Sequence, residues 1–205
     1  MGFPARIALA SKNPGKIREI LQICGSWPVQ WLTWGGESGL AWPDIEETGQ
    51  SYLENARLKA AVVAQAAGVP GIADDSGIEV DALVGEPGPR SARFAGPEAT
   101  DSENLHLLIK RIRGLHPVDR TARYRCVAVC AWPGSSRTVW AEGVCEGLLI
   151  LEPTGRGGFG YDPIFVPEGH DRTMAELSPE EKNAISHRGN AFRALGQLLL
   201  SQSCA

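Results

Sequence analysis

The sequence predicts an α/β fold in which a mixed β-sheet is flanked by helices. Short apolar runs typical of buried strands alternate with segments whose apolar residues recur every three to four positions, as on one face of a helix. Two longer apolar stretches, residues 123–132 and 138–151, lie on either side of Pro133-Gly134 and predict the neighbouring strands of a hairpin. With 205 residues, the chain is long enough for one domain with a substantial core.

The first half of the chain predicts alternating strands and helices. A helix with one apolar face is expected over residues 16–24, after the first strand. Ser51 and Glu54 have the spacing of a capping box, which begins a helix that ends at Gly68. The short strand after that helix is expected to stop in a tight turn at residues 74–77. The predicted strands are residues 6–10, 29–33, 71–73 and 78–83, and an acidic loop is predicted over residues 34–50.

The second half contains further signals for the start of a helix. Thr100 and Glu103 form another capping box, and Gly114 is expected to end the helix that they begin. Ser178 precedes Pro179, which occupies the first helical position, where proline is favoured. The remaining predicted elements are a last helix over residues 187–201 and a glycine-rich loop over residues 152–163.

Composition and charge exclude several classes of protein. The net charge is −4, without a block of basic residues, which argues against binding to nucleic acid. No apolar run reaches the roughly 18 residues of a membrane span, and the N-terminus lacks the apolar core of a signal peptide. The five cysteines include no Cys-x-x-Cys pair, which argues against a structural zinc site and predicts reduced thiols in a cytoplasmic protein.

The first polar motif is Ser11-Lys12-Asn13-Pro14-Gly15-Lys16, between a predicted strand and a predicted helix. Backbone N–H groups at a helix N-terminus form an anion site together with a lysine, so this motif is a candidate for phosphate binding. It is not a Walker loop, because Ile17 follows Lys16 and the upstream glycine is missing. The alternative is a capped helix start with solvated lysines.

Two acidic motifs are candidates for metal binding. Glu46 and Glu47 precede the second helix, in a segment that is either a metal site or a solvated acidic loop. Asn55 and Lys59 share one face of that helix. Asp74-Asp75-Ser76-Gly77 follows a short apolar strand, at the sheet edge where α/β proteins bind ligands. Two adjacent carboxylates on a tight turn repel each other, and Mg²⁺ would remove that cost, so a metal site is favoured over a turn with aspartate caps.

The last motifs are residues 157–163 and 181–188. The loop over 155–160 matches G-x-G-x-x-G, but Pro163 prevents the helix that a dinucleotide-binding fold needs there. The loop instead offers aromatic rings for stacking on a base, and the second segment offers cations for phosphate, although an ordinary polar helix start would look the same. The chain lacks H-E-x-x-H and G-x-S-x-G motifs, so its catalytic candidates are carboxylates and lysines. This favours metal-assisted hydrolysis over covalent catalysis.

These motifs occur in a specific order along the chain. They are Ser-Lys-Asn-Pro-Gly-Lys at 11–16, Glu-Glu-Thr-Gly at 46–49, Ala-Asp-Asp-Ser-Gly at 73–77, Ser-Ala-Arg-Phe at 91–94, Gly-Gly-Phe-Gly-Tyr-Asp-Pro at 157–163 and Glu-Lys-Asn-Ala-Ile-Ser-His-Arg at 181–188. In this order they resemble the inosine/xanthosine triphosphate pyrophosphatase family, from Ile7 to about Leu199. The resemblance implies a Mg²⁺-dependent homodimer that cleaves ITP, dITP and XTP to the monophosphate and pyrophosphate. It also implies a single domain over residues 1–205, with an elongated mixed sheet and two lobes around a central nucleotide cleft.

The resemblance also implies roles for individual residues. Asp75 would be the general base and a Mg²⁺ ligand, and Glu47 the second metal ligand, with Glu46 and Asp74 as further candidates. Lys16 would act in catalysis by stabilising charge on the phosphates. Lys12 departs from the family, most of whose members carry glycine there, and adds charge beside the triphosphate. The expected substrate-binding residues are Ser11, Lys12, Asn13, Pro14, Gly15, Lys16, Lys59, Ser76, Phe159, Gly160, Tyr161, Asp162, Lys182, His187 and Arg188.

Base selectivity would follow from hydrogen bonding. Hypoxanthine and xanthine carry a 6-oxo acceptor and an N1–H donor, whereas adenine has the reverse pattern. His187 or Arg188 donating to the 6-oxygen and Asp162 accepting from N1–H would leave buried polar groups unpaired against adenine. Three alternatives stay open: a broader nucleotide phosphohydrolase that releases orthophosphate, a non-catalytic nucleotide sensor, and a scaffold that uses the acids to bind a structural metal.

Overall fold

The computed structural model describes residues 3–36, 41–45 and 49–201 and has an α/β fold. The strands are β1 (Arg6–Leu9), β2 (Gln30–Leu32), β3 (Gly71–Val80), β4 (Thr121–Ala131), β5 (Thr138–Leu149) and β6 (Phe165–Pro167). The helices are α1 (Pro14–Ile23), α2 (Tyr52–Ala67), α3 (Asp101–Ile112), α4 (Pro179–Ile185) and α5 (His187–Ser201). The strands form one sheet in the order β2-β1-β3-β4-β5-β6. Strand β1 is parallel to both of its neighbours and β5 is antiparallel to β6, which confirms the mixed sheet.

Local side-chain signals set the ends of the helices. At the start of α2, Ser51 Oγ accepts a hydrogen bond from Glu54 N, and the Glu54 carboxylate accepts one from Ser51 N. Gly68 ends α2 in the left-handed conformation, with φ of 64°. Thr100 and Glu103 form the equivalent box before α3. Each predicted box is confirmed, because the first N–H groups of a helix need acceptors from outside it.

Strand β3 is longer than the sequence predicts. It runs without a break from Gly71 to Val80, so the tight turn expected at residues 74–77 is wrong. Successive side chains of a strand point to opposite faces of the sheet, and Asp74 and Asp75 are therefore separated rather than crowded together. The argument that a metal is needed to relieve their mutual repulsion is also wrong.

The region before α4 contains a strand that the sequence did not indicate. Strand β6 has only three residues, too few to show a periodic pattern. Residues 162–164 form a single 3₁₀ turn with Pro163 inside it. The absence of an α-helix from these described residues agrees with the rejection of a dinucleotide-binding motif. No helix in the described part of the chain is both long and apolar enough to cross a membrane.

The chain divides into two compact units, each with its own apolar core. Unit 1 comprises Met1–Asp75, Cys126–Gly143 and Arg188–Ala205, and unit 2 comprises Ser76–Arg125 and Val144–His187. In unit 1, one apolar cluster packs strands against α1 and α5, and another packs strands against α2. Unit 2 has a cluster in which α3 contributes Leu108 and Ile112. Alternate residues of a strand share a face. Asp75 is therefore on the same face of β3 as Ala73, which packs against α2, and Asp74 is on the same face as Ile72, which packs against α1 and α5.

Candidate active site

Asp75 is held by two side chains of α2. Asn55 Nδ2 donates to Asp75 Oδ2 at 3.1 Å, and Lys59 Nζ donates to Asp75 Oδ1 at 3.0 Å. The two donors are four residues apart and share a face of the helix, as their spacing predicts. All three side chains are buried. The carboxylate is therefore fixed in orientation by one neutral and one charged donor.

Asp74 is neutralised by cations on the other side of β3. Arg188 donates to Asp74 Oδ2 through Nε and Nη2, each at 3.2 Å, and Lys16 Nζ lies 3.2 Å from the same oxygen. Burial alone would raise the pKa of Asp74, but the charges of Lys16, Arg188 and Lys59 outweigh burial and hold this pKa well below its usual value. Asp74 is thus an ionised partner of protein cations, and Asp75 is the stronger candidate for a metal ligand.

Arg188 is a buried part of the same ion-pair group. Its side chain is 2% exposed, and Nη1 donates to Glu19 of α1. Burial lowers the pKa of Arg188, but Asp74 and Glu19 outweigh it, so the pKa lies above its usual value. The sequence predicts Arg188 in the nucleotide pocket, whereas the structure engages its guanidinium with two carboxylates. The sequence does not predict Glu19 as part of this group, because nothing in the helix around Glu19 indicates a pairing with Arg188, 169 positions away.

The Ser11–Lys16 motif forms the start of α1, as predicted. Asn13 Oδ1 accepts from the backbone N–H groups of Gly15 and Lys16, at 2.8 and 3.0 Å, and Pro14 has no N–H. Ser11 Oγ accepts from Asn13 N at 3.2 Å. The first amides of the helix are therefore satisfied within the motif. Phosphate binding by this motif stays a prediction, and the side chain of Lys16 is the better candidate for it than the amides.

Lys12, the departure from the family pattern, is engaged by the segment after β2. Its Nζ lies 2.5 Å from Asp44 Oδ1 and 4.6 Å from the centre of the Trp34 ring. The Asp44 side chain is fully exposed, so solvent screens this ion pair. The extra charge at residue 12 thus has protein partners of its own.

Asp162 is the centre of a second polar group, in unit 2. Lys182 Nζ donates to Asp162 Oδ2 at 2.6 Å, Phe159 N donates to the same oxygen at 2.8 Å, and Tyr124 Oη donates to Oδ1 at 3.2 Å. A Cβ at Gly158 would lie 2.0 Å from Asp162 Oδ2, so the loop passes too close for any other residue. A carboxylate offers about four acceptor positions. Asp162 therefore holds Lys182 and the glycine-rich loop, and has little capacity left for a ligand.

Aromatic rings surround this second group. The rings of Tyr124 and His187 stack, with centroids 4.6 Å apart and planes 11° apart. Lys182 Nζ lies 5.0 Å from the centre of the Phe159 ring. Tyr124 lies in the strand predicted over residues 123–132, and the sequence does not single it out. No motif around Tyr124 indicates a partner in the glycine-rich loop.

Tyr161 and Gly160 connect the glycine-rich loop to the rest of unit 2. Tyr161 Oη donates to the backbone oxygen of Ser91 at 2.7 Å, and Gly160 N donates to Asp101 Oδ2 at 3.0 Å. Burial, with a smaller contribution from Asp101, raises the pKa of Tyr161 above its usual value. Tyr161 is therefore a neutral donor that anchors the loop to the Ser-Ala-Arg-Phe motif.

The residues around Asp75 fit a hard metal ion. Asn55 Oδ1 is buried and has no hydrogen-bond partner in the described structure, so the amide that donates to Asp75 also carries an unsatisfied oxygen. Carboxylate and amide oxygens are the donors that Mg²⁺ prefers. Glu46 and Glu47, the other predicted ligands, lie outside the described residues. Among residues 3–36, 41–45 and 49–201, no group of three or more His, Cys, Asp or Glu side chains is placed to hold a metal. Ser76 is partly buried on β3, immediately after Asp75.

Comparison with known proteins agrees with this fold over almost the whole chain. The profile of the Ham1 family matches residues 7–198. A dITP/XTP pyrophosphatase of Streptomyces coelicolor is 49% identical over 191 residues, which cover 93% of this chain and 94% of that protein. A dITP/XTP pyrophosphatase of Bacillus subtilis is 44% identical, over 93% of this chain and 95% of that protein. The structure of a HAM1 protein from Coxiella burnetii superposes with a TM-score of 0.82 at 40% identity, covering 98% of this chain and 99% of that one. This chain belongs to the Ham1 family.

Proposed function

We propose that this chain is a nucleoside triphosphate pyrophosphatase that hydrolyses the non-standard purine nucleotides ITP, dITP and XTP to the monophosphate and pyrophosphate. The observation that carries the proposal is the buried Asp75 carboxylate, fixed by Asn55 and Lys59, in a chain 49% identical to a dITP/XTP pyrophosphatase. Such an enzyme would remove deaminated purines from the nucleotide pool. Residues 1–205 would act as one domain.

Mg²⁺ is the proposed cofactor. Asp75 would hold it, and Glu47 is proposed as a second ligand on the sequence motif alone. When bound, the ion would neutralise the negative charge that develops on the pyrophosphate leaving group. The support for this proposal is the buried Asp75 carboxylate, together with the unsatisfied carbonyl oxygen of the Asn55 amide that donates to it.

The protein side chains would supply the remaining chemistry. Asp75 is proposed to take a proton from the water that attacks the α-phosphorus, and its two donors keep the accepting oxygen in a constant direction. Lys16 is proposed to bind phosphate oxygens, because its side chain is partly exposed although its amine also contacts Asp74. Ser11 and Lys59 are proposed as further phosphate contacts.

Unit 2 carries the residues proposed for the purine base. Phe159 is a candidate for stacking on the base, and Lys182 is held beside its ring by Asp162. We favour His187 over Arg188 as the donor to the 6-oxygen, because the Arg188 guanidinium is already bound to Asp74 and Glu19. Arg188 would then act indirectly, by holding Asp74.

The test is turnover on a nucleotide panel. ITP, XTP, dITP, GTP and ATP would be incubated with Mg²⁺ or with EDTA, and pyrophosphate and orthophosphate would be quantified separately. We expect Mg²⁺-dependent pyrophosphate release that is strong for ITP, dITP and XTP and weak for ATP. Asp75→Asn should lower the rate by about 10²–10⁴-fold, the usual contribution of a general base. Asp119→Asn, at an exposed aspartate, is the matched control.

Other outcomes would redirect the proposal. Orthophosphate as the main product, or equal rates on all five nucleotides, would indicate a broader phosphohydrolase. Tight nucleotide binding without turnover would indicate a sensor. The proposal also includes a cytoplasmic homodimer, and light scattering should give twice the 22.0 kDa of one chain. A mass of one chain would contradict the dimer.

A further inference from the structure

Asn55 is a buried polar residue in the first turns of α2, and its two amide atoms have different surroundings. Nδ2 donates to Asp75 Oδ2 at 3.1 Å, whereas Oδ1 is buried and has no hydrogen-bond partner within the described part of the chain. An ionised carboxylate only accepts hydrogen bonds, so Asp75 determines that the amide nitrogen faces it. The side chain is 1% exposed, and bulk water does not reach the carbonyl oxygen. A buried acceptor without a donor is destabilising, which points to a ligand that supplies one.

Gly49 keeps side-chain atoms away from this oxygen. A Cβ at residue 49 would lie 2.5 Å from Asn55 Oδ1, 2.9 Å from Glu54 Cβ and 3.1 Å from Asn55 N. These distances are too short for any real side chain, so a larger residue would displace the Asn55 amide or the start of α2. Steric crowding therefore explains the glycine of the Glu-Glu-Thr-Gly motif, without any need for an unusual backbone conformation.

A second buried asparagine shows what a purely structural role looks like in this chain. Asn104 Nδ2 donates to Ala92 O at 3.0 Å, and Asn104 Oδ1 accepts from Ala95 N at 2.8 Å. Both amide atoms of Asn104 are therefore satisfied by backbone groups. Asn55 differs because one of its atoms is bound to the proposed catalytic base and the other is unsatisfied.

We propose that Asn55 is a positioning residue of the metal site, which holds Asp75 through Nδ2 and offers Oδ1 to a water of the bound Mg²⁺. This inference rests on the proposed function, because it requires Mg²⁺ at Asp75. Mg²⁺ in proteins usually keeps several of its waters, and those waters need acceptors. Partners that hydrogen-bond a ligating carboxylate typically change metal affinity or activity by about 10–100-fold.

The experiment measures metal affinity in the absence of nucleotide. Mn²⁺ would be titrated into the full-length protein, and free Mn²⁺ would be counted by electron paramagnetic resonance. Asn55→Leu has nearly the same shape and removes both polar atoms. Gly49→Ala leaves the chemistry of the amide unchanged but crowds Asn55 Oδ1 and the start of α2. Asn104→Leu is the matched control. We expect the Mn²⁺ dissociation constant to rise by about 10-fold or more in Asn55→Leu, to rise in Gly49→Ala, and to stay at the wild-type value in Asn104→Leu.

Turnover gives a second measurement that a merely structural role would not change in the same way. The kcat of Asn55→Leu should fall and should recover in part as Mg²⁺ is raised, while the KM for ITP stays near that of wild type. If Asn55→Leu does not fold, Gly49→Ala carries the test by itself. Wild-type Mn²⁺ affinity in these variants, or an equal loss in Asn104→Leu, would overturn the role of Asn55 while leaving pyrophosphate release by the wild type intact. Failure of the wild type to bind Mn²⁺ would overturn the metal assignment in the proposed function, and this inference with it.

Discussion

Asp74 and Asp75 are adjacent in the sequence, and different side chains donate hydrogen bonds to them. Asp74 is bound by Arg188 and Lys16, and Asp75 by Lys59 and Asn55. This separation is possible because the two residues belong to a strand, where neighbouring side chains leave the backbone in opposite directions. Each carboxylate therefore has hydrogen-bonding partners of its own, and the charge of Lys59, which binds Asp75, also acts on Asp74.

The low pKa of Asp74 predicts how stability depends on pH. A carboxylate whose pKa is lower in the folded than in the unfolded state stabilises the fold above its unfolded pKa, and this contribution is lost as the pH falls through the folded pKa. The unfolded value is near 3.8, so the loss should begin below about pH 4. One extra proton taken up on unfolding gives a slope of up to about 1.4 kcal/mol per pH unit.

Urea unfolding between pH 2.5 and pH 7 measures this slope. Asp74→Asn should be less stable than wild type at pH 7, because it leaves buried cations with one carboxylate fewer. Below about pH 4 its stability should fall less steeply than that of wild type, since the titrating group is gone. Asp119→Asn removes an exposed aspartate and serves as the control, with a slope close to that of wild type. An acid slope in Asp74→Asn equal to that of wild type would contradict the prediction.

Local spacing predicts some of the site, and contacts distant in sequence supply the rest. Asn55 and Lys59 share a helix face because they are four residues apart, and Asn13 caps α1 two residues before Gly15. Arg188, by contrast, is 114 positions from Asp74. No periodicity or short motif reports which distant cation will neutralise a given carboxylate. The same holds for Tyr124, which donates to Asp162, 38 positions away.

At the scale of elements, capping signals are more reliable than strand composition. The boxes at Ser51 and Thr100 set helix starts correctly because both of their hydrogen bonds form within four residues. The sequence predicts two separate strands in place of β3, because Asp-Asp-Ser-Gly is a sequence that strands usually avoid. The cost of burying these carboxylates is offset by hydrogen bonds and ion pairs with side chains from other elements. The polar interruption of a strand is thus itself a sign of a functional site.

The start of β3 depends on a close approach to α2. A Cβ at Gly71 would lie 2.5 Å from Ala60 O and 2.7 Å from Ala64 N, both of them backbone atoms that cannot rotate away. We expect Gly71→Ala to lower the free energy of unfolding by about 1–3 kcal/mol, the usual cost of overpacking. Gly114→Ala is the control, because a Cβ there meets nothing within 4 Å. Thermal and urea unfolding of both variants measure the difference, and equal stabilities would show that α2 shifts at little cost.

At the scale of the whole molecule, each unit has an apolar core that contains no metal-binding cluster among its described residues. Unit 1 has clusters on the two sides of its strands, and unit 2 has one around α3. The fold class could be predicted because alternating strands and helices and one hairpin indicate a mixed sheet. The strand order could not, because it depends on which strands pair across long connections. Because apolar packing holds each unit together, we expect the fold to be kept when a metal is removed.

Removing the metal should therefore stop turnover and leave the fold intact. Asn55 and Lys59 donate hydrogen bonds to Asp75, and the apolar clusters supply the stability of each unit. In EDTA we expect no pyrophosphate release and a melting temperature within about 2 °C of the value without EDTA. For a chain of this size, that shift corresponds to a change of less than about 1 kcal/mol in the free energy of unfolding. Added Mg²⁺ should restore turnover fully, because the polypeptide has not unfolded. Excess Mg²⁺ should raise the melting temperature only by mass action, in proportion to the logarithm of its concentration above the dissociation constant. A large fall of the melting temperature in EDTA would instead indicate a structural metal, because a scaffold that folds around an ion loses its folding energy with it.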